Sequence, residues 1–320
     1  MRRLKFLLGI MTALSLCAAA PAQAQSSGKT LRLVVSFPPG GSPDSLARVL
    51  AQKMSENLGH AVVVENRPGA GGAVANAFVK NSEPDGYTLI MMSSAAYSIG
   101  PNLQKSMPNP MKDFTPVALA ATSPVFLVTN PAQAQTFNEF IALAKAKPGL
   151  AYGSSGIGTG HHLAMELLKA KTGVDLMHVP YKGVAQTVPA VLAGDLVATF
   201  AGLNVALPFA RNGRIRILAV ATGKRSAMAP EVPTLAELGV TGYDVSISLG
   251  LLAPIKTPPD IVQKMNAEIV KAANAPGVRE KLFALGVEPA SSTPEQFGEL
   301  IAREVQDYGK LIALTGTKTD

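Results

Sequence analysis

One cysteine, Cys17, occurs in the 320 residues, and it falls inside an N-terminal stretch that reads as a removable export signal. A mature chain without cysteine has no disulfide, no thiol nucleophile and no thiolate-bound metal, so its core must suffice for stability. Tryptophan is missing and aromatic residues make up 5% of the chain. No run of basic residues occurs either, so the phosphate contacts and stacking surfaces of a nucleic-acid binder have no source. Histidines number four, with no H-x-x-x-H or H-E-x-x-H spacing, so neither a metal nor another cofactor is expected. Beyond the N-terminal stretch no apolar run has the roughly 20 residues of a spanning helix.

The leader has Arg2, Arg3 and Lys5, an apolar stretch over 6–20, and Ala22-Gln23-Ala24 as a small-x-small cleavage site, so the mature chain starts at Gln25 and the protein is periplasmic. A lipid anchor on Cys17 would want a small residue where Leu16 stands. The formal charge of +7 becomes +4 once the leader is removed, which favours anionic ligands only weakly. Roughly 295 mature residues suit two domains.

Short β-branched runs alternate with helical patterns throughout. Strands are expected over 31–37, 62–65, 87–92, 117–121, 125–129, 150–153, 176–179, 196–200, 215–221 and 245–252. Helices are expected over 43–58, 73–80, 137–146, 160–172, 184–193, 205–212, 259–273, 277–285 and 294–311. Such alternation marks α/β sheets with crossover helices, whose ligands sit beyond the carboxyl ends of the strands. The break at Ser123-Pro124 and the run over 245–254 suggest two crossings between domains. Lobe I would then be 25–123 with 251–320, lobe II 124–250, and 1–24 the signal.

Two Gly-rich loops carry most of the information about function. Pro38-Pro39-Gly40-Gly41-Ser42-Pro43-Asp44 joins a strand to a helix, with Ser42 as a candidate N-cap and Pro43 at N1. Gly153-Ser154-Ser155-Gly156-Ile157-Gly158-Thr159-Gly160-His161 does the same about a hundred residues later. Each presents free N–H groups and a positive dipole end to an anion. The second loop lacks the Lys of a nucleotide-binding P-loop. Asp44 would repel a carboxylate, so it either organises its loop or binds an amine or a water. Ser93 and Ser94 end a strand and are candidate pocket hydroxyls, and Tyr181 is a candidate cleft wall. Arg67 reads as paired to a local carboxylate. An exported hydrolase using Ser155 with His161 or His162 is the alternative from another class, though Gly153-Ser154-Ser155-Gly156 is one residue short of a G-x-S-x-G elbow.

The chain resembles the Bug family, the extracytoplasmic substrate-binding receptors of tripartite tricarboxylate transporters. The likeness is carried by Phe37-Pro38-Pro39-Gly40-Gly41 with Asp44 and Arg48, by Glu65-Asn66-Arg67-Pro68-Gly69-Ala70-Gly71-Gly72, and by Pro84-Asp85-Gly86-Tyr87. Further along come Gly156-x-Gly158-Thr159, His162-Leu163 and His178-Val179-Pro180-Tyr181-Lys182-Gly183. The resemblance implies a type II periplasmic-binding fold, two α/β lobes on a two-crossing hinge, and a non-enzymatic receptor that holds a small organic acid between them. Phe37, Pro39, Gly40, Gly41, Asp44, Ser93 and Ser94 would serve from one lobe. Ser154, Ser155, Gly158, Thr159, Gly160, His161, Tyr181 and Ala201 would serve from the other. The receptor would be a monomer that delivers to a membrane permease, with a sensor kinase as the alternative partner. Ile157 replaces an amide side chain common in the family, and Ala201-Gly202 stand where an acidic residue is common. The expected ligand is therefore an acid without an amino group, with a larger or aromatic body.

Overall fold

A computed structural model describes residues 29–37, 39–69, 72–103 and 110–318. The export signal, Pro38, Ala70 and Gly71 lie outside the described residues. The first half of the chain forms β1 (Leu31–Val35), α1 (Ser42–Leu58), β2 (Val62–Asn66), α2 (Ala73–Lys80), β3 (Thr88–Ser93), β4 (Phe114–Pro124), β5 (Phe126–Thr129) and α3 (Phe137–Ala146). It continues as β6 (Leu150–Ser154), α4 (Gly160–Thr172), β7 (Leu176–Pro180), α5 (Val184–Ala193), β8 (Ala198–Ala201), α6 (Leu203–Ala210) and β9 (Arg216–Val220). The last third is β10 (Ser246–Pro254), α7 (Pro259–Ala273), α8 (Val278–Ala284), β11 (Glu288–Pro289) and α9 (Pro294–Thr315).

The strands fall into two sheets, β11-β4-β10-β3-β1-β2 and β7-β6-β8-β5-β9. Within the first, β1 pairs in parallel with β2 and β3, and β10 runs antiparallel to β3 and β4. Within the second, β6 is parallel to β7 and β8, while β5 is antiparallel to β8 and β9. Parallel strands need crossover helices, which cover both faces, and this is why β3 is buried at every position. Side chains alternate accordingly. Leu33 and Met91 join Leu46, Leu50 and Ile269 on one face of the first sheet. Val34 and Ile90 join Phe297 and Ile301 on the other. The second sheet is clad in the same way, by Tyr152, Leu168 and Phe200 on one side and Phe126, Val188 and Ala206 on the other.

The chain passes between sheets at two adjacent places. β4 ends at Pro124 and β5 begins at Phe126 in the other sheet. On the return, the Val245 N–H donates to Ala221 O of the second lobe at 2.9 Å, while Ser246 already pairs with Pro124. The return crossing thus falls between Val245 and Ser246, five residues before the expected boundary at 250/251. The apolar run over 245–254 conceals it, because its composition does not change where the strand changes sheets. A second departure lies after β3, where a π-helical turn (Ala95–Ile99) and the short helix Gly100–Leu103 had no periodic apolar signal. The lobes also touch away from the hinge. The Ser226 hydroxyl donates to Glu288 Oε1 at 2.5 Å, and α9 reaches α4 through Tyr308, Leu311 and Leu163.

Behind the cleft, Glu304 of α9 accepts hydrogen bonds from Ser248 Oγ and, at 3.0 Å, from Ser98 Oγ. Burial raises its pKa from 4.5 to about 7. The folded state therefore binds this proton more tightly than the unfolded chain does. The stabilisation is full below about pH 4.5 and is lost as pH rises through about 7. Glu304→Gln should abolish that loss, which is on the order of 3 kcal/mol, and denaturant melts of both proteins at pH 4.5 and pH 8 measure it. Close packing sets another limit at Gly250 in β10. A Cβ there would lie 2.1 Å from Phe297 Cζ and 2.9 Å from Ala118 O. Gly250→Ala should cost roughly 1–3 kcal/mol of stability, read as a lowered melting temperature.

Candidate functional site

The first loop is built around a buried carboxylate. Asp44, 3% exposed, accepts from the Gly40 N–H (2.9 Å) and Arg48 Nε (3.0 Å) on Oδ2, and from Asn66 Nδ2 (2.8 Å) on Oδ1. Burial alone would raise its pKa, but the hydrogen bonds from Arg48, Gly40 and Asn66 outweigh that and hold it below 3.8. Asn66 also donates to Phe37 O at 3.2 Å, which fixes the end of β1. Gly40 has a φ of 91°, a conformation that glycine adopts without strain. The helix N-cap is Gly41, one position before the expected Ser42, and as a glycine it has no side chain with which to cap.

The second loop has a corresponding frame. Thr159 is the N-cap of α4; its Oγ1 accepts from the His162 N–H at 3.3 Å and donates to Gly156 O at 2.8 Å. Ser154 Oγ accepts from the Gly156 N–H at 3.1 Å and lies 2.7 Å from His178 Nε2. Gly158 donates its N–H to His162 Nδ1 at 3.1 Å. A Cβ on Gly158 would meet Leu103 Cδ1 of the first lobe at 2.2 Å, so the loop tip presses on the opposite lobe.

Between the loops lies a cavity of about 250 Å³ lined from both lobes. Phe37, Ser93, Ser94 and the start of α1 at Ser42 and Pro43 face it from one side. Ser155, Thr159, Gly160 and His161 face it from the other, with Ile247 and Leu249 of β10 as floor. Val184 opens α5, and Gly202 is the N-cap of α6; both line the same cavity, as do Asn204 and Val205. Four helices, α1, α4, α5 and α6, therefore begin at one cavity. No Asp, Glu, Lys or Arg is among its described lining residues. A larger cavity of about 650 Å³ lies behind the hinge along α9, and its walls mix charged side chains such as Lys171, Arg303 and Asp307 with leucines such as Leu167 and Leu311. It has neither Gly-rich loop, so the smaller interlobe cavity is the candidate site.

Eight expected site residues are not among those that line this cavity. Pro39, Gly40 and Gly41 shape the first turn, and Asp44 lies buried beneath it. Ser154 and Gly158 are taken up by hydrogen bonds inside the second loop. Tyr181 donates its N–H to Ser154 O at 3.0 Å and packs with Val191 and Leu196. Ala201, fully buried, ends β8 against Phe126, and Gly202 takes the lining place next to it. Conversely, Val184, Asn204, Ser123 and the floor residues were not anticipated; Gly183 and Gly202, one residue before helix starts, were the available signals. Arg67 pairs with Glu65 (Nε to Oε1, 2.7 Å) and stacks on Phe78, the local role expected of it.

Ser155 Oγ lies 2.8 Å from His161 Nδ1. Burial lowers the His161 pKa to about 4, which makes it a weak base, and no carboxylate is hydrogen-bonded to it among the described residues. The pair suits hydrogen bonding to a ligand better than proton abstraction. Among the described residues no cluster of three or more His, Cys, Asp or Glu is arranged to hold a metal, and no helix is long and apolar enough to cross a membrane.

Two α/β lobes on a two-strand hinge, with helix N-termini converging on the cleft, define a solute-binding protein of the type II periplasmic class. Residues 46–317 match the tripartite tricarboxylate transporter family receptor family. The chain is 36% identical to the protein BugT of Bordetella pertussis over 99% of both chains. A protein of R. palustris solved with adipate superposes at a TM-score of 0.79, with 32% identity, over 92% of this chain and 99% of its own. MatC from Rhodopseudomonas palustris, solved with bound malate, gives 0.74 and 30% over 88% and 98%. The chain belongs to the tripartite tricarboxylate transporter receptors, the family that includes the Bug proteins, and is a solute-binding receptor.

Asp44→Ala leaves the Gly40 N–H and the Arg48 side chain without their shared acceptor. It should cost about 2–3 kcal/mol of stability, as urea denaturation of the two proteins will report.

Proposed function

We propose that the interlobe cavity binds a small carboxylate that carries no amino group, and that the receptor passes it to a tripartite tricarboxylate-type membrane permease. One observation carries this reading: four helix N-termini meet at a cavity whose described lining holds no acidic side chain. Free N–H groups and aligned dipoles supply positive potential for an anion, while an ammonium group would find no carboxylate to receive it. Phe37, Ile247, Leu249, Val184 and Val205 supply an apolar surround for a hydrocarbon body. Ser93 and Ser94 add hydroxyl-bearing residues to the cavity wall. The bound adipate and malate of the related structures are of the proposed chemical class.

In this reading the leader is cleaved before Gln25, the mature protein works as a periplasmic monomer without enzymatic activity, and a ligand that touches both lobes favours their closure. Titration calorimetry of the mature chain with adipate, malate, benzoate and aspartate tests it. One-to-one binding at micromolar affinity or better, about −8 kcal/mol, is expected for an acid without an amino group, with aspartate at least tenfold weaker. Ser155→Ala should weaken that binding. Aspartate as the tightest ligand would overturn the proposed ligand class. Turnover of a chromogenic ester, abolished by Ser155→Ala, would instead support a hydrolase.

A further inference from the structure

Beneath the second loop lies a group of stacked aromatic and titratable side chains that lines neither of the two cavities described above. The His162 and His178 rings stack at 4.0 Å and 19°, and Tyr152 stacks on His178 at 5.0 Å. His162 is 5% exposed. Its Nδ1 accepts the Gly158 N–H, so the lone pair lies on Nδ1 and the ring proton on Nε2. We propose that His162 is the positioning residue of the 156–160 loop, and that it holds the loop in its binding form only as the neutral imidazole. The inference rests on the cleft reading above, since it concerns the loop that brings Thr159 and Gly160 to the cavity.

Protonation would place an N–H at Nδ1 against the Gly158 N–H, two donors facing each other, and that bond must open. Gly158, with a φ of 72°, would then be released from the turn that delivers Thr159 to the cap of α4. The charged and titratable neighbours are few and known. His178 of β7 faces the ring, Tyr152 of β6 lies 6.5 Å away, and Glu166 and Lys169 follow on α4 itself. Glu166 accepts from the Tyr152 hydroxyl (2.6 Å) and pairs with Lys169 (2.8 Å), so its negative charge is already matched. Burial first, and His178 next, lower the His162 pKa to about 4. His178 is lowered too, chiefly by burial. Two charged imidazoles 4.0 Å apart would repel, so the pair stays neutral together at neutral pH.

The test begins without ligand, on protein labelled with nitrogen-15. At pH 7 the His162 Nδ1 should be the unprotonated ring nitrogen, and on acidification the Gly158 amide should shift with the same midpoint as that ring. His162→Asn places a non-titrating amide oxygen near Nδ1, and should remove the pH response of Gly158. It should also keep affinity for adipate or malate within about threefold. His162→Phe keeps the stack on His178 but offers no acceptor, and should weaken whichever acid binds by about tenfold. A protonated Nδ1 at pH 7, or a Gly158 amide that ignores the ring, would overturn the role of His162. Equal affinity of the Phe variant and the parent would do the same. Failure of both acids to bind the parent at any pH would count against the cleft reading instead, through a separate measurement.

Discussion

Parallel pairing of neighbouring strands constrains everything else in this protein. Strands that run the same way must be joined by a crossover, and here each crossover is a helix that starts just past a strand's carboxyl end. In both lobes the first such turns, after β1 and after β6, are the two Gly-rich loops. The sheets are joined edgewise by the hinge at Pro124–Phe126 and Val245–Ser246, so their carboxyl edges face one another. Helix N-termini from both lobes consequently meet in a single space. An anion site assembled in this way needs no basic side chain, and the described lining contains none.

A cleft of backbone N–H groups works only if the backbone stays in place. Each loop is held from behind by buried polar side chains that do not reach the cavity. In the first lobe Asp44 gathers Gly40, Arg48 and Asn66; in the second, Ser154 and His162 hold Gly156 and Gly158. The supports differ in charge, an ionised carboxylate on one side and neutral imidazoles on the other. That difference follows from their neighbours. Asp44 has a guanidinium beside it, whereas His162 has a second imidazole stacked on it and, nearby, a glutamate already paired with lysine.

Much of this was legible in the sequence, and the failures have physical causes. Alternating strand and helix patterns gave two α/β units, and the glycines and hydroxyls of both loops marked strand-to-helix turns. The return crossing was misplaced because β10 is apolar on both sides of the point where it changes sheets. Ala201 sat in the right turn but at a position the strand pairing buries, and half-buried Tyr181 packs on Val191 and Leu196, while Gly202 and Val184 reach the cavity. The His162 to Gly158 bond could not be read at all, because a four-residue spacing says nothing of a lone pair's direction. For Asp44 the sequence left two roles open, loop organiser or partner of an amine or a water, and its hydrogen bonds to Gly40, Arg48 and Asn66 are those of the first.

The central claim is that one ligand is held by both loops at once. Amide hydrogen exchange across the mature chain, with and without a saturating carboxylate, tests it most directly. The account predicts that residues 40–46 and 156–162 gain protection together, at the same ligand concentration. Protection confined to one lobe, or gained instead along α9 around the larger cavity behind the hinge, would contradict it.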